Sequence, residues 1–356
     1  MLSLSSGLPQ NNDKMLFEAD CCFFPLSTVS SNSHETCVKL LAEASVREKN
    51  LLRELERMQL ENKELKSAKA SLRAENCSEE EVEFYTGLPS MSCFQWLVLF
   101  MKDDIPNSFL LNNDDIVLMT FMKLRLNLTH RDLGFRFGVS LPTVTNYIET
   151  MIPKLAEKLR FFIRWPERDD VLRSRPQCFK ETYPKCVSII DCTEVFIQCP
   201  GNFSARAATY SNYKSTNTVK YLVSITPAGS VSFVSKAFGG KASDKVITIE
   251  SGFLNLLHHG DQVMADRGFL IREELASCGA ELIMPAFTKG KPQLSAYEVE
   301  NSRKISNVRI HVERAMERLK NFRVLSERMP MNMVPHADSI MTICAAIVNL
   351  HPCLVN

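Results

Sequence analysis

Between Asn307 and Phe322 apolar residues return every three or four positions, at Val308, Val312, Ala315, Leu319 and Phe322. That spacing predicts a helix with one buried stripe. Upstream the pattern changes to short apolar runs bounded by turn residues. Val187–Asp191, Glu194–Gln198, Tyr221–Thr226 and Val231–Ala237 predict strands, with Thr226-Pro227-Ala228-Gly229 turning a hairpin between the last two. Asp244–Leu257 and Arg272–Cys278 predict helices, Glu281–Pro285 another strand, and Asp261–Phe269 a short strand running into a Gly turn. Strands interleaved with helices place residues 186–350 in the α/β class.

The N-terminal third has a different rhythm. Residues 1–36 are rich in Ser and Asn, with an apolar Cys-Cys-Phe-Phe-Pro-Leu patch at 21–26, and predict disorder or a short docking peptide. Cys37–Asn76 contains no Gly or Pro and fits a heptad register. Ala44, Leu51, Met58, Leu65 and Leu72 fall at d, with Leu41, Glu48, Leu55, Asn62 and Lys69 at a. Leu at d with one Asn at a predicts a parallel coiled-coil homodimer over 37–77. The alternative is a single exposed helix, since Glu48, Asn62 and Lys69 are polar.

An acidic run, Glu79–Glu83, marks a linker before helices at Cys93–Met101 and Asp114–Arg125, which flank a polar loop at Asp103–Asn113. Thr129 with Asp132 three residues on has the form of a capping box starting a helix at His130–Phe137. Gly138-Val139-Ser140 gives a turn, and Ser140 caps a second helix with Pro142 in its first turn. Two short helices across such a turn predict a helix-turn-helix domain within 84–160. In that motif Thr143, Thr145 and Asn146 face base edges, and Arg131, Arg136, Lys154 and Lys158 meet phosphates. A helical hairpin that binds nothing has the same local pattern. Residues 161–185, rich in Arg and Pro, lead into the core.

A chain of 356 residues suggests two or three domains, and a hydrophobic content of 45% supplies their cores. The net charge of +1 hides an uneven distribution: residues 1–120 carry 11 Lys/Arg against 19 Asp/Glu, 121–180 carry 12 against 6, and 301–330 carry 8 against 3. The two basic segments suit nucleic acid, although a solvated helical face explains each singly. Twelve cysteines form no Cys-x-x-Cys pair, and several sit in apolar runs, which points to reduced thiols in an intracellular protein. Nothing resembles a signal peptide or a membrane span.

Asp191 lies in the apolar run Cys186–Gln198, where a carboxylate needs a partner or a metal. Asp266 ends a second apolar run, and Glu313 borders the stripe of the 307–322 helix. Two strand-end aspartates and a helix-borne glutamate form an oxygen set suited to Mg²⁺ or Mn²⁺. Each acid singly has a structural reading as a turn cap or a surface helix residue. Glu194 and Asp244 rank below these three, since alternation turns Glu194 to the face opposite Asp191. His258, His259 and His311 share no ligand spacing.

Ile-Ile-Asp191-Cys-Thr-Glu, Ala-Asp266-Arg-Gly-Phe and Val-Glu313-Arg-Ala-Met-Glu-Arg-Leu-Lys resemble the Asp, Asp, Glu motifs of PIF/Harbinger-type DDE transposases. The resemblance extends from about Phe84 to about Leu350. It implies an RNase H-like mixed sheet flanked by helices, a DDE endonuclease domain over 186–350, and two-metal phosphodiester hydrolysis by Asp191, Asp266 and Glu313. It also implies double-stranded DNA as partner, a possible DNA-binding partner protein and residence in the nucleus. Arg267 and Arg314 balance charge in that reading. Many relatives carry a zinc-binding domain further upstream; none is visible in these residues. A host-retained DNA-binding or adaptor protein, dimerised through 37–77 and catalytically silent, is the alternative. A nuclease acting on RNA or structured DNA is a third.

Overall fold

The computed structural model describes residues 31–68, 71–286 and 293–352. These divide between residues 70 and 71 into two compact units. The apolar patch at 21–26, and Lys69 of the heptad register, lie outside the described residues.

The first unit is one helix, α1 (Ser31–Ala68). With neither Gly nor Pro to break it, the helix runs 38 residues, about 57 Å at 1.5 Å per residue. Leu41, Leu51, Leu55 and Met58 of the heptad stripe are exposed. The helix stops short of the 37–77 span predicted for it. Leu72, expected at the last d position, instead packs half-buried against the core of the second unit. The physical reason is Asp115, 1% exposed, which accepts Arg73 Nη1 at 3.1 Å and the Ala74 amide at 2.9 Å. That buried carboxylate draws the chain out of helical conformation.

The second unit opens with a helical bundle: α2 (Glu79–Thr86), α3 (Met91–Met101), α4 (Asn113–Leu126), α5 (His130–Phe137) and α6 (Leu141–Leu159). The acidic run expected as a linker is α2 itself, held by a capping box between Ser78 and Glu81 and ended by Gly87 at φ 72°. Helix α4 is buried along Asp115–Leu124 and forms the bundle's centre. Its Lys123, 3% exposed, donates to Asn127 Oδ1 and Leu128 O at 3.0 Å each, closing the helix end. Burial brings the Lys123 ammonium down to about 8. Two short helices, α7 (Arg168–Ser174) and α8 (Gln177–Thr182), occupy the segment expected as a bare connection.

The α/β part follows in order: β1 (Cys186–Phe196), α9 (Phe203–Thr209), β2 (Tyr210–Ser211), β3 (Thr216–Ile225), β4 (Val231–Val234), β5 (Phe238–Gly239), α10 (Asp244–Glu250), β6 (Gln262–Met264), α11 (Arg272–Ser277), β7 (Glu281–Ile283), α12 (Ala296–Lys320), α13 (Arg323–Ser326) and α14 (Ala337–Leu350). The seven strands make one mixed sheet in the order β2-β3-β1-β6-β7, with β4 and β5 also on β3. The two strands expected at 187–198 are one, because β3 pairs antiparallel along β1 without a break from Ile189↔Ile225 to Phe196↔Thr218. The polar residues that suggested an interruption are satisfied across this pair: Glu194 accepts from Thr218 Oγ1 at 2.7 Å and meets Lys220 Nζ at 3.6 Å. The predicted 244–257 helix ends at Glu250, where Ser251 and Gly252, at φ 82°, break it.

The sheet separates two cores. Ile189, Val195, Tyr221 and Val223 face a large cluster that includes α12, α14 and the helical bundle. Val187, Ile190 and Leu222 face a smaller one with Ile247, Phe253 and Leu275. Asp191 shares the parity of Ile189 and Val195, so alternation turns it to the α12 side. The described cysteines are free thiols. No helix among the described residues is long and apolar enough to cross a membrane.

Candidate active site and DNA-facing helices

Strand β1 pairs parallel with β6 up to Ile189↔Met264, and β6 pairs parallel with β7. Asp191 and Asp266 each lie two residues past that last matched pair, so register alone sets them side by side. Further along β1 the same edge is covered again: Met329 N donates to Phe196 O at 2.8 Å, and Gln198 N to Met329 O at 2.9 Å. Asp191 therefore stands in a gap of the edge, between β6 and the Met329 segment.

Each aspartate is held by the amide that follows it. Cys192 N donates to Asp191 Oδ1 at 2.9 Å, and Arg267 N to Asp266 Oδ1 at 2.7 Å. Burial, foremost, raises the Asp191 carboxyl to about 6; the negative charges of Asp266 and Asp244 add to the rise, while the Cys192 amide and the Arg309 guanidinium oppose it. Arg309 comes from α12, and its side chain is 10% exposed. Its Nη1 donates to Asp266 Oδ1 at 3.1 Å.

Glu313, one turn beyond Arg309 on α12, is exposed. The charged groups that act on Asp191 are Arg309, Asp266 and Asp244, and Glu313 is not among them. Among the described residues no three His, Cys, Asp or Glu side chains converge as a metal-holding group. The structure sets Asp191 and Asp266 side by side, and Glu313 follows one turn after the Arg309 that bonds Asp266. Asp244 acts on Asp191, and a Cβ placed on Gly268, in the turn after Asp266, would come 3.5 Å from Asp244 Oδ2. Asp244 Oδ1 is 3.8 Å from Lys220 Nζ. Glu194 stays on the opposite face with Lys220, as strand alternation requires.

Arg309 is the site residue that sequence reasoning passed over, in favour of Arg267 and Arg314 as charge balance. Its signal is present: it stands four residues before Glu313 and directly after the stripe residue Val308, so a buried cation beside an acid is readable there.

The helix-turn-helix rests on α4, α5 and α6. Thr129 caps α5 by accepting from Asp132 N at 3.2 Å. The reciprocal arm expected from Asp132 is absent from this cap, since its carboxylate accepts Arg136 Nε at 2.7 Å. Ser140 caps α6 through Thr143 N at 3.3 Å, with Pro142 in the first turn. The α5–α6 turn is tight. Gly138 has φ 70°, and a Cβ on Gly134 would lie 2.8 Å from Val139 O. Gly134→Ala is therefore expected to cost about 1–3 kcal/mol through overpacking. A thermal melt checks it, and an unchanged midpoint would show that the turn gives way freely.

Of the seven expected DNA contacts, Arg131, Arg136 and Asn146 are exposed. Thr143 Oγ1 meets Ser140 Oγ at 2.7 Å, and Thr145 Oγ1 binds His130 Nδ1 at 3.0 Å. Lys154 and Lys158 are turned inward. Lys154 Nζ donates to Asp104 O at 2.6 Å, while Lys158 Nζ pairs with Asp104 Oδ2 at 2.6 Å and donates to Phe100 O at 2.9 Å. These two lysines fasten α6 to the end of α3.

Residues 190–349 match the family described as DDE superfamily endonuclease. Residues 110–161 match the helix-turn-helix of DDE superfamily endonuclease. The match begins one residue before Asp191 and takes in Asp266, Arg309 and Glu313, and the helix-turn-helix match covers α4 to α6. No curated protein and no solved structure matches the chain.

Proposed function

We propose that the chain is a DDE superfamily endonuclease: a divalent-metal-dependent, transposase-like DNA nuclease of the PIF/Harbinger kind, built on an RNase H-like core. The observation that carries the proposal is the register-matched pair Asp191 and Asp266 in the edge gap of β1. A long first strand between antiparallel β3 and parallel β6 supports the RNase H-like reading.

Asp191 and Asp266 would hold Mg²⁺ or Mn²⁺: both offer carboxylate oxygens, and mutual repulsion in a partly buried site favours a cation between them. Glu313 is the third donor by family resemblance. Such ions, when bound, activate a water or 3′-hydroxyl and stabilise the leaving oxygen of the phosphodiester, two ions sharing these tasks in a two-metal site. The chain's own groups prepare the site. The Cys192 and Arg267 amides aim the two carboxylates, and Arg309 balances their charge. Helices α5 and α6 present Arg131 and Asn146 to double-stranded DNA, with Thr143, Thr145 and Arg136 beside them. Helix α1 would pair two copies, with Asn62 fixing the register. A nuclear location follows from the substrate.

One observation favours the silent DNA-binding or adaptor reading: Arg309 already neutralises Asp266. In that reading a DNA-binding partner protein would share the target. The deciding experiment is nicking of a labelled duplex by purified protein with Mg²⁺ or Mn²⁺, beside Asp191→Ala and Glu313→Ala. Nicking lost in both variants supports the three-acid nuclease. Nicking that survives Glu313→Ala removes Glu313 from the site, and duplex binding without any nicking supports the silent reading.

A further inference from the structure

From Val195 to Ser243 the sequence contains no Asp or Glu, yet it holds Arg206, Lys214, Lys220, Lys236 and Lys241. Lys220 is spent on Glu194 and Asp244. Arg206 and Lys241 line one surface depression with Phe203 and Tyr210. Phe203 is 82% exposed, as is Tyr213 in the turn that follows. Each ring carries a cation: the Arg206 guanidinium lies 5.5 Å from the Phe203 centroid, and Lys214 Nζ lies 4.5 Å from that of Tyr213.

These rings stand on a fixed support. Buried Asn217 donates from Nδ2 to Arg206 O and Thr209 Oγ1, each at 2.9 Å, which ties the last turn of α9 to β3. Gly239 and Gly240 let β5 close on the same turn, where a Cβ would come 2.3 Å from Ala208 O and 2.5 Å from Thr209 O. The next amide along, that of Lys241, donates to Ala208 O at 3.3 Å. The platform is thus carried by β3, which also pairs with β1 across Asp191 and Glu194.

We infer that α9 and the turn from Tyr210 to Lys214 form a strand-gripping platform that takes unpaired nucleotides on the same β3 that borders β1. Phe203 and Tyr213 stack on bases, while Arg206, Lys214 and Lys241 meet the phosphodiester backbone. Charge alone would suit any duplex; rings exposed on a rigid basic surface suit bases whose faces are free, because stacking needs an open π-face. The inference rests on the DNA-processing reading above and deepens it by naming the state of the DNA.

The test uses the full-length protein in EDTA, so that binding is read without cleavage. Fluorescence anisotropy compares a labelled duplex with the same duplex ending in a single-stranded tail, and 2-aminopurine in the tail reports stacking. Native protein should prefer the tailed probe and quench 2-aminopurine. The double change Phe203→Ala with Tyr213→Ala should weaken tailed-probe binding roughly tenfold or more and abolish the quench, with duplex binding held within about twofold. Arg206→Ala with Lys241→Ala should weaken both probes and lower the salt slope by about 1–2. Tail binding and quench unchanged in a double-alanine protein of unaltered melting temperature would overturn the platform. Tail preference retained by a native chain that never nicks DNA with metal would overturn the nuclease reading and leave the platform standing. A chain that binds neither probe overturns both.

Discussion

Asp191→Asn is expected to cut metal-dependent nicking at least about a hundredfold while making the metal-free protein more stable. In the proposed nuclease, the rate loss would follow from removing a charged ligand whose contribution to transition-state stabilisation is several kcal/mol. The gain in stability follows from burial. The carboxyl rises from 3.8 to about 6 in the folded protein, mainly through desolvation. Between those values the folded state keeps a proton that the unfolded state has released, so stability falls as pH rises through the window, and the penalty is complete above about 6. A shift of that size corresponds to about 3 kcal/mol, and partial solvent contact reduces it to about 1–2 kcal/mol. Arg309 keeps its bond to Asp266 in the variant, so no orphaned cation offsets the gain. Urea melts in EDTA at about pH 4 and about pH 7 measure the effect. A variant no more stable than the native chain at the higher pH would show that Asp191 does not carry this cost.

Arg309→Ala should have the opposite sign. Its guanidinium is the cation bonded to Asp266, and its side chain is nearly buried. Removal leaves Asp191, Asp266 and Asp244 repelling one another and opens space under α12. Because Asp266 is 53% exposed, the electrostatic part is screened, and the total loss is expected at about 1–3 kcal/mol in EDTA. Added Mg²⁺ or Mn²⁺ should recover more stability in this variant than in the native chain, since a divalent ion would take over the neutralisation. Melting temperatures with and without metal decide the matter. A variant indifferent to metal would favour the silent reading over the nuclease.

The two changes together explain which parts of this molecule could be read from its sequence. Thr129, Ser140 and Gly138 were legible because a cap or a turn is settled within four residues, and each does what its neighbours require. Asp191 and Asp266 were legible because a carboxylate in an apolar run is costly wherever the run goes. The break expected after Asp191 was not real, because the satisfaction of Glu194 comes from Thr218 and Lys220 on another strand. The start of α12 at Ala296, eleven residues before the apolar stripe suggested, rests on the Ser295–Glu298 capping box in a polar stretch where periodicity is silent. Lys154 and Lys158 announced positive charge correctly, but their partners lie about fifty residues away, and composition holds no record of such a contact. The bond from Arg309 to Asp266 joins residues 43 positions apart, which the pattern of α12 alone does not announce.

Because each aspartate is held by the amide of its immediate successor, the aim of either acid is written in a dipeptide, Asp191-Cys192 or Asp266-Arg267, and their separation is written elsewhere, in the β1–β6 register. The two kinds of information can drift apart over evolutionary time. Substitutions that loosen β6 and β7 would spread the pair without re-aiming either member, with the outline of the site intact.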